Sequence, residues 1–165
     1  MTKVKNVVIA GLGGQGVLKA SDILADAAFR AGFDVKKSEL HGMSQRGGSV
    51  SSDVRFGDRV LSPMVPPGEA DVLLVLEETQ IEINRPTLKP GGVLIGPDVL
   101  NAAALKNKKS LNVALLGAVS TVLDIPEEQW LAAMYANLAE KLHTINEQAF
   151  ALGRSAAIER KAADQ

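Results

Sequence analysis

The chain has 165 residues, of which 46% are hydrophobic and 22% charged, with a formal net charge of −1. That is one domain's worth of ordinary globular composition and argues against wholesale disorder. The near-neutral balance and an aromatic content of 4% exclude a global basic field for nucleic acid and disfavour base stacking on an aromatic platform. Cysteine is absent, and the histidines are His41 and His143. Disulfides, a cysteine nucleophile, cysteine-held zinc and a cysteine-held iron–sulfur cluster are thereby excluded, and no metal site is evident. No leader is visible, and no run approaches the ~20 apolar residues of a membrane span. A cytoplasmic protein that binds neither membrane nor nucleic acid is expected.

In chain order, residues 4–10 are rich in β-branched side chains and run straight into glycines, which predicts a buried strand. A helix over about 14–31 follows. Val17, Ala20, Leu24, Ala27, Ala28 and Ala31 recur at helical spacing, with Lys19, Asp22, Asp26 and Arg30 on the wet face and Gly32 as the stop. Residues 33–37 read as a short second strand and 38–48 as a polar loop. Residues 50–56 read as a third strand that turns through Gly57 and Asp58 into a partner over 59–62. Pro63, Pro66, Pro67 and Gly68 break any element. The run 71–76 is fully apolar, as in buried parallel strands. A helix over 77–88 and a strand over 91–96 come next. Helices over 112–123, 127–142 and about 145–161 finish the chain, with Pro126 at a helix start. No repeat or linker interrupts 1–165. The pattern predicts a single three-layer α/β/α domain, a Rossmann-like variant with a mixed, mostly parallel sheet and a helical C-terminal region.

The segment Gly11-Leu12-Gly13-Gly14-Gln15-Gly16 fits the glycine fingerprint of dinucleotide sites, with a strand before it and a helix after it. Such a turn permits close backbone approach and aims free N–H groups at an anion. A dinucleotide site also needs an acid at the end of the second strand. Here that strand ends on Lys36 and Lys37, and the nearest acid beyond is Glu39. Lysines there would spoil a ribose contact and suit a phosphate. A nicotinamide or flavin, another anionic group, and a turn that merely packs the helix on the sheet all stay open.

The second unusual stretch is 38–49, containing His41, Gly42, Met43, Ser44, Gln45, Arg46, Gly47 and Gly48. It is placed beyond the carboxyl end of a strand, where sheets of this kind bind ligands. Lys36, Lys37 and Arg46 against Glu39 make it locally basic. Arg46 can clamp a carboxylate or phosphate with two hydrogen bonds. His41 can move a proton near neutral pH, or be an ordinary loop histidine. The whole run has the character of a ligand or interface loop. Other features have plainer readings. Glu77 and Glu78 start a helix, where acids favour the dipole, rather than form a catalytic pair. Trp130, Met134 and Leu138 are core or subunit interface. Asn112 is a helix cap, and His143 favours the dipole near a helix end.

Taken together, the runs 11–16, 41–48, 54–57 (Val54-Arg55-Phe56-Gly57), 68–72 and 89–92 (Lys89-Pro90-Gly91-Gly92) resemble one family in order and wording, as do 115–118 and 146–153. The chain is similar to the gamma-type domain of the 2-oxoacid:ferredoxin oxidoreductases, nearest the beta subunit of the indolepyruvate branch. The wording of 41–48 points to that branch. The resemblance implies a part in oxidative decarboxylation of a 2-oxoacid with coenzyme A to an acyl-CoA, with electrons passed to ferredoxin. It also implies that thiamine diphosphate and the iron–sulfur clusters sit on a large partner subunit, so that this chain alone binds no cofactor and is inactive. Ferredoxin would be met only indirectly, and a homodimer is possible. One departure is the short, lysine-rich stretch 97–110, where the family leads us to expect a further strand and turn. The alternative is a free-standing anion- or nucleotide-binding module without catalysis of its own.

Overall fold

The computed structural model describes residues 3–41 and 48–165, of His41 only the backbone. Five strands, β1 (Lys5–Leu12), β2 (Asp34–His41), β3 (Ser49–Gly57), β4 (Ala70–Val75) and β5 (Leu88–Ile95), form one sheet in the order β2-β3-β1-β4-β5. β1 lies at its centre because Val7, Val8, Ile9 and Ala10 are buried on both faces. It pairs parallel with β4 and antiparallel with β3, and β3 pairs antiparallel with β2. β4 and β5 are parallel. Among the described residues four strands therefore run one way and β3 alone opposes them, so the sheet is mixed, as the sequence implies. The glycine turn and α1 (Val17–Arg30) carry the chain from β1 to β2, and β3 then folds back between them.

Several expected boundaries move. β2 runs on to His41, because Ser38, Glu39, Leu40 and His41 find ladder partners in Asp53, Ser52, Ser51 and Val50. The predicted strand over 59–62 does not form. Pro63, Pro66 and Pro67 lack the N–H groups a ladder needs. The segment becomes a strap pinned to the sheet by side chains. The Asp34 carboxylate accepts from the Val60 N–H at 2.7 Å, Arg55 donates to the Ser62 carbonyl at 2.7 Å, and the Asp53 carboxylate accepts from the Val65 N–H at 2.9 Å. The helix expected over 77–88 breaks into a 3-10 turn, the short α2 (Ile81–Asn84) and a second 3-10 turn carrying Pro86. Residues 97–110 fold as three 3-10 turns, with the Asn101 and Asn107 side chains accepting from the N–H groups of Ala103 and Lys109. The further strand expected there is not formed.

The C-terminal half is helical, in α3 (Leu111–Ser120), α4 (Glu127–Asn137) and α5 (His143–Ala163). α4 stops short of the expected 142. The Nε2 of His143 lies 3.1 Å from the Tyr135 carbonyl and 2.9 Å from the Leu138 carbonyl, at the end of α4. His143 opens α5 rather than ending a helix, so the terminus it serves belongs to the preceding helix.

Helices α1, α3, α4 and α5 share one core with Val7, Ile9, Val54, Phe56, Val72 and Leu74 on one face of the sheet. On the other face Val8, Ala70, Leu73 and Val75 are covered by Val65, Ile81, Leu88 and Leu94. The outer layers are thus unequal, one of four helices and one of short connections. α3 is buried along nearly its whole length, which suits a helix apolar all round. Trp130 and Met134 lie in the core, the Trp130 ring 5.9 Å from that of Phe150, and Leu138 packs against it partly buried.

Candidate functional site

The glycine turn leaves the carboxyl end of β1 and enters α1, as expected, but the helix starts three residues later than the spacing suggests. Gly14 and Gly16 adopt φ values of 88° and 85°, left-handed conformations that no helix continues through. The turn is held from three directions. Gln15 reaches back so that its Oε1 accepts from the Leu12 N–H at 2.7 Å, while its Nε2 donates to Glu77 at 2.8 Å. Asn112, on α3, donates to the Gly16 carbonyl at 3.2 Å. The Gly13 N–H donates to the Gly48 carbonyl at 2.9 Å. That last bond ties the far end of the 41–48 run to the turn, so the two sequence-predicted candidates meet at one place.

Two clefts flank the turn and share Gly14 and Gly16. One, about 430 Å³, opens toward Leu18, Lys19 and Val50. The other, about 480 Å³, has Gln15 and Leu76 on one side and Lys108, Lys109 and Asn112 on the other. Neither Lys108 nor Lys109 forms an ion pair with another described residue. Gly14, Gly16 and two ammonium groups thus border one cavity, and the cations suit an anion.

The charge balance expected at the end of β2 changes. Lys37 bonds to Asp22 of α1 and, at 2.8 Å, to Glu39. Burial pulls Lys37 down, but those two carboxylates outweigh it and hold its ammonium above the ordinary value. Lys36 lies 4.0 Å from Asp34. Among the described residues, the cations bordering the cleft beside Gln15 are Lys108 and Lys109, from the short, lysine-rich stretch. Glu39, the nearest acid beyond the strand, is taken by Lys37.

Asn112 and Glu77 also change roles. Asn112 lies inside the first turn of α3, after Ser110 at the cap position, and its side-chain oxygen accepts from the first-turn N–H of Val113 at 2.9 Å. Glu77 is engaged with Gln15, whereas Glu78 is exposed, so the two do not act as a carboxylate pair. The side chain of His41 and all of Gly42, Met43, Ser44, Gln45, Arg46 and Gly47 lie outside the described residues. Next to them, the Ser49 hydroxyl donates to Oε1 of the Gln80 side chain at 2.8 Å.

The turn's geometry predicts unequal effects at its two left-handed glycines. A Cβ on Gly16 would lie 2.4 Å from the Asn112 amide nitrogen, whereas one on Gly14 would meet nothing within 4 Å. A left-handed conformation costs an L-residue about 1–2 kcal/mol. Gly14→Ala should lose about that much, and Gly16→Ala about a further 1 kcal/mol as Asn112 gives up its bond. Urea unfolding of both variants checks this; equal losses would contradict it.

The chain has no cysteine for a cluster. Among the described residues no group of three or more His, Asp or Glu side chains is placed to hold a metal ion. Among the same residues no helix is long and apolar enough to cross a membrane.

Residues 6–101 match the family described as pyruvate ferredoxin/flavodoxin oxidoreductase. An indolepyruvate oxidoreductase subunit IorB from Pyrococcus horikoshii is 41% identical over 141 residues, 85% of this chain and 68% of that protein. The subunit of the same name from Methanothermobacter thermautotrophicus is 31% identical over 193 aligned positions, covering 93% of this chain and 98% of that one. The gamma subunit of a keto/oxoacid ferredoxin oxidoreductase from Geobacter sulfurreducens has the same fold, with a TM-score of 0.81 over 95% of this chain and 98% of that one at 24% identity. With the matched family spanning the sheet and the glycine turn, and relatives aligned across most of both chains, this chain belongs to the pyruvate ferredoxin/flavodoxin oxidoreductase family.

Proposed function

We propose that this chain, acting throughout 1–165 as one gamma-type domain, is the small subunit of a cytoplasmic ferredoxin oxidoreductase acting on indolepyruvate or a related aryl 2-oxoacid. The reaction is oxidative decarboxylation with coenzyme A to the acyl-CoA and carbon dioxide, the electrons going to ferredoxin. The observation that carries this reading is the 41% identity to a subunit of that name across 85% of the chain. The absence of cysteine fits a division of labour in which thiamine diphosphate and the clusters belong to a large partner subunit and ferredoxin docks there. In isolation the chain is expected to be inactive and to self-associate.

Within that enzyme we assign to the glycine turn, Gly11, Gly13, Gly14, Gln15 and Gly16, the contact with an anionic group of substrate, cofactor or partner. Lys108 and Lys109 close the same cleft. Two exposed ammonium groups each contribute a modest, salt-dependent attraction. Titration of the chain with inorganic pyrophosphate at low salt is expected to show binding that weakens about tenfold in Lys108→Ala/Lys109→Ala. Equal binding by the double variant, or none by the parent, would remove the cleft from the site.

A further inference from the structure

β5 is the edge of the sheet on the side opposite β2, and among the described residues its one strand neighbour is β4. Edges of this kind are normally blunted with lysine, proline or irregular backbone. The first half of β5 has all three, in Lys89, Pro90 and the left-handed Gly91. Val93, Leu94 and Ile95 have none. The chain that follows turns away as three 3-10 turns and adds no strand to the edge. Val93 and Ile95 pair opposite Val72 and Leu74, which puts them on the face that carries the helices. There they line an open groove of about 480 Å³ whose other side includes Val122 and Ala157, with Arg160 and Asp164 also on it. Val93 and Val122 are 37% and 36% exposed, so the groove offers apolar surface to whatever strand is laid along the edge.

We propose that the occupant is β5 of a second copy of this chain, paired antiparallel about a two-fold axis normal to the sheet. The proposal rests on the self-association put forward above and names its surface. An edge strand turned by such an axis meets its own donors and acceptors in register, the self-complementarity that an isologous interface requires. The axis also keeps the helix-bearing face of both copies on one side, so Val93 of each enters the groove of the other. The charges agree with a partner of the same composition. The groove holds Arg160 and Lys161 with Asp164, and Asp98 pairs with Arg160 at 3.2 Å. Cations and acids are balanced, which suits a copy of itself and gives a strongly charged partner nothing to match.

The test is light scattering of the full chain at high concentration, together with Val93→Lys and Val122→Glu. One variant places a charge on the strand and the other on the opposite wall of the groove, both at partly exposed positions. The parent is expected at twice 17.4 kDa and both variants at the monomer mass, with the circular dichroism spectrum unchanged. A dimeric parent with dimeric variants would overturn the edge assignment and leave self-association standing. A monomeric parent would overturn both, and if Val93→Lys then failed to co-elute with the large subunit, the edge would belong to that subunit instead.

Discussion

Gly153→Ala is expected to destabilise the protein by about 3 kcal/mol, the upper end of the cost of overfilling a packed core. α5 crosses α3 so closely at this point that a Cβ on Gly153 would lie 1.6 Å from the carbonyl oxygen of Ala114. The obstacle is backbone in a helix buried along nearly its whole length, so no side-chain rotation relieves it. The two helices must move apart, which unseats Phe150 from Trp130 and opens the core beneath. Since α3 also carries Asn112, the separation should loosen the bond to the Gly16 carbonyl as well. Chemical denaturation gives the loss directly; a loss below 1 kcal/mol would mean that the helices are not in backbone contact.

Arg46→Ala is expected to cut kcat/KM of the assembled enzyme by an amount equivalent to about 2–5 kcal/mol, the usual cost of removing one side of a buried charged pair. Arg46 is the fixed cation of the 41–48 run, and that run leaves β2 beside Val50 and returns at Gly48 onto the glycine turn. Arg46→Lys should rescue poorly, since an ammonium cannot make the two-pronged contact. His41→Ala should cost less than either. Steady-state kinetics and co-elution with the large subunit read the effect. An Arg46→Ala protein that folds, assembles and turns over like its parent would remove the arginine from the site.

What was legible in the sequence was what local chemistry decides. The Val7-Val8-Ile9 run, the glycines behind it and the alanine face of α1 announce a strand, a turn and a helix without any long-range information. What was not legible depends on partners distant in sequence. Ser38 and Glu39 look like loop residues until β3 supplies their ladder. Lys37 looks like a free cation until α1 brings Asp22 to it. Asn112 has the composition of a cap, yet its amide serves a carbonyl that lies 96 residues earlier. Lys108 and Lys109 were visible as a basic stretch, but only the packing of α3 beside the turn places them on its cleft. Gly153 shows the same limit: nothing in its neighbours along the chain distinguishes it from a tolerated helix glycine, and the reason for it is the carbonyl of another helix.

The central claim is that this chain is one half of an enzyme whose redox and thiamine chemistry is held elsewhere. The most direct measurement is turnover of indolepyruvate with coenzyme A and an electron acceptor by the purified chain, by its large subunit and by the two combined. No turnover from this chain alone, and acyl-CoA formation by the combination well above that of the large subunit by itself, is the predicted result. Turnover by the isolated chain, or a large subunit whose activity is unchanged by adding it, would contradict the account.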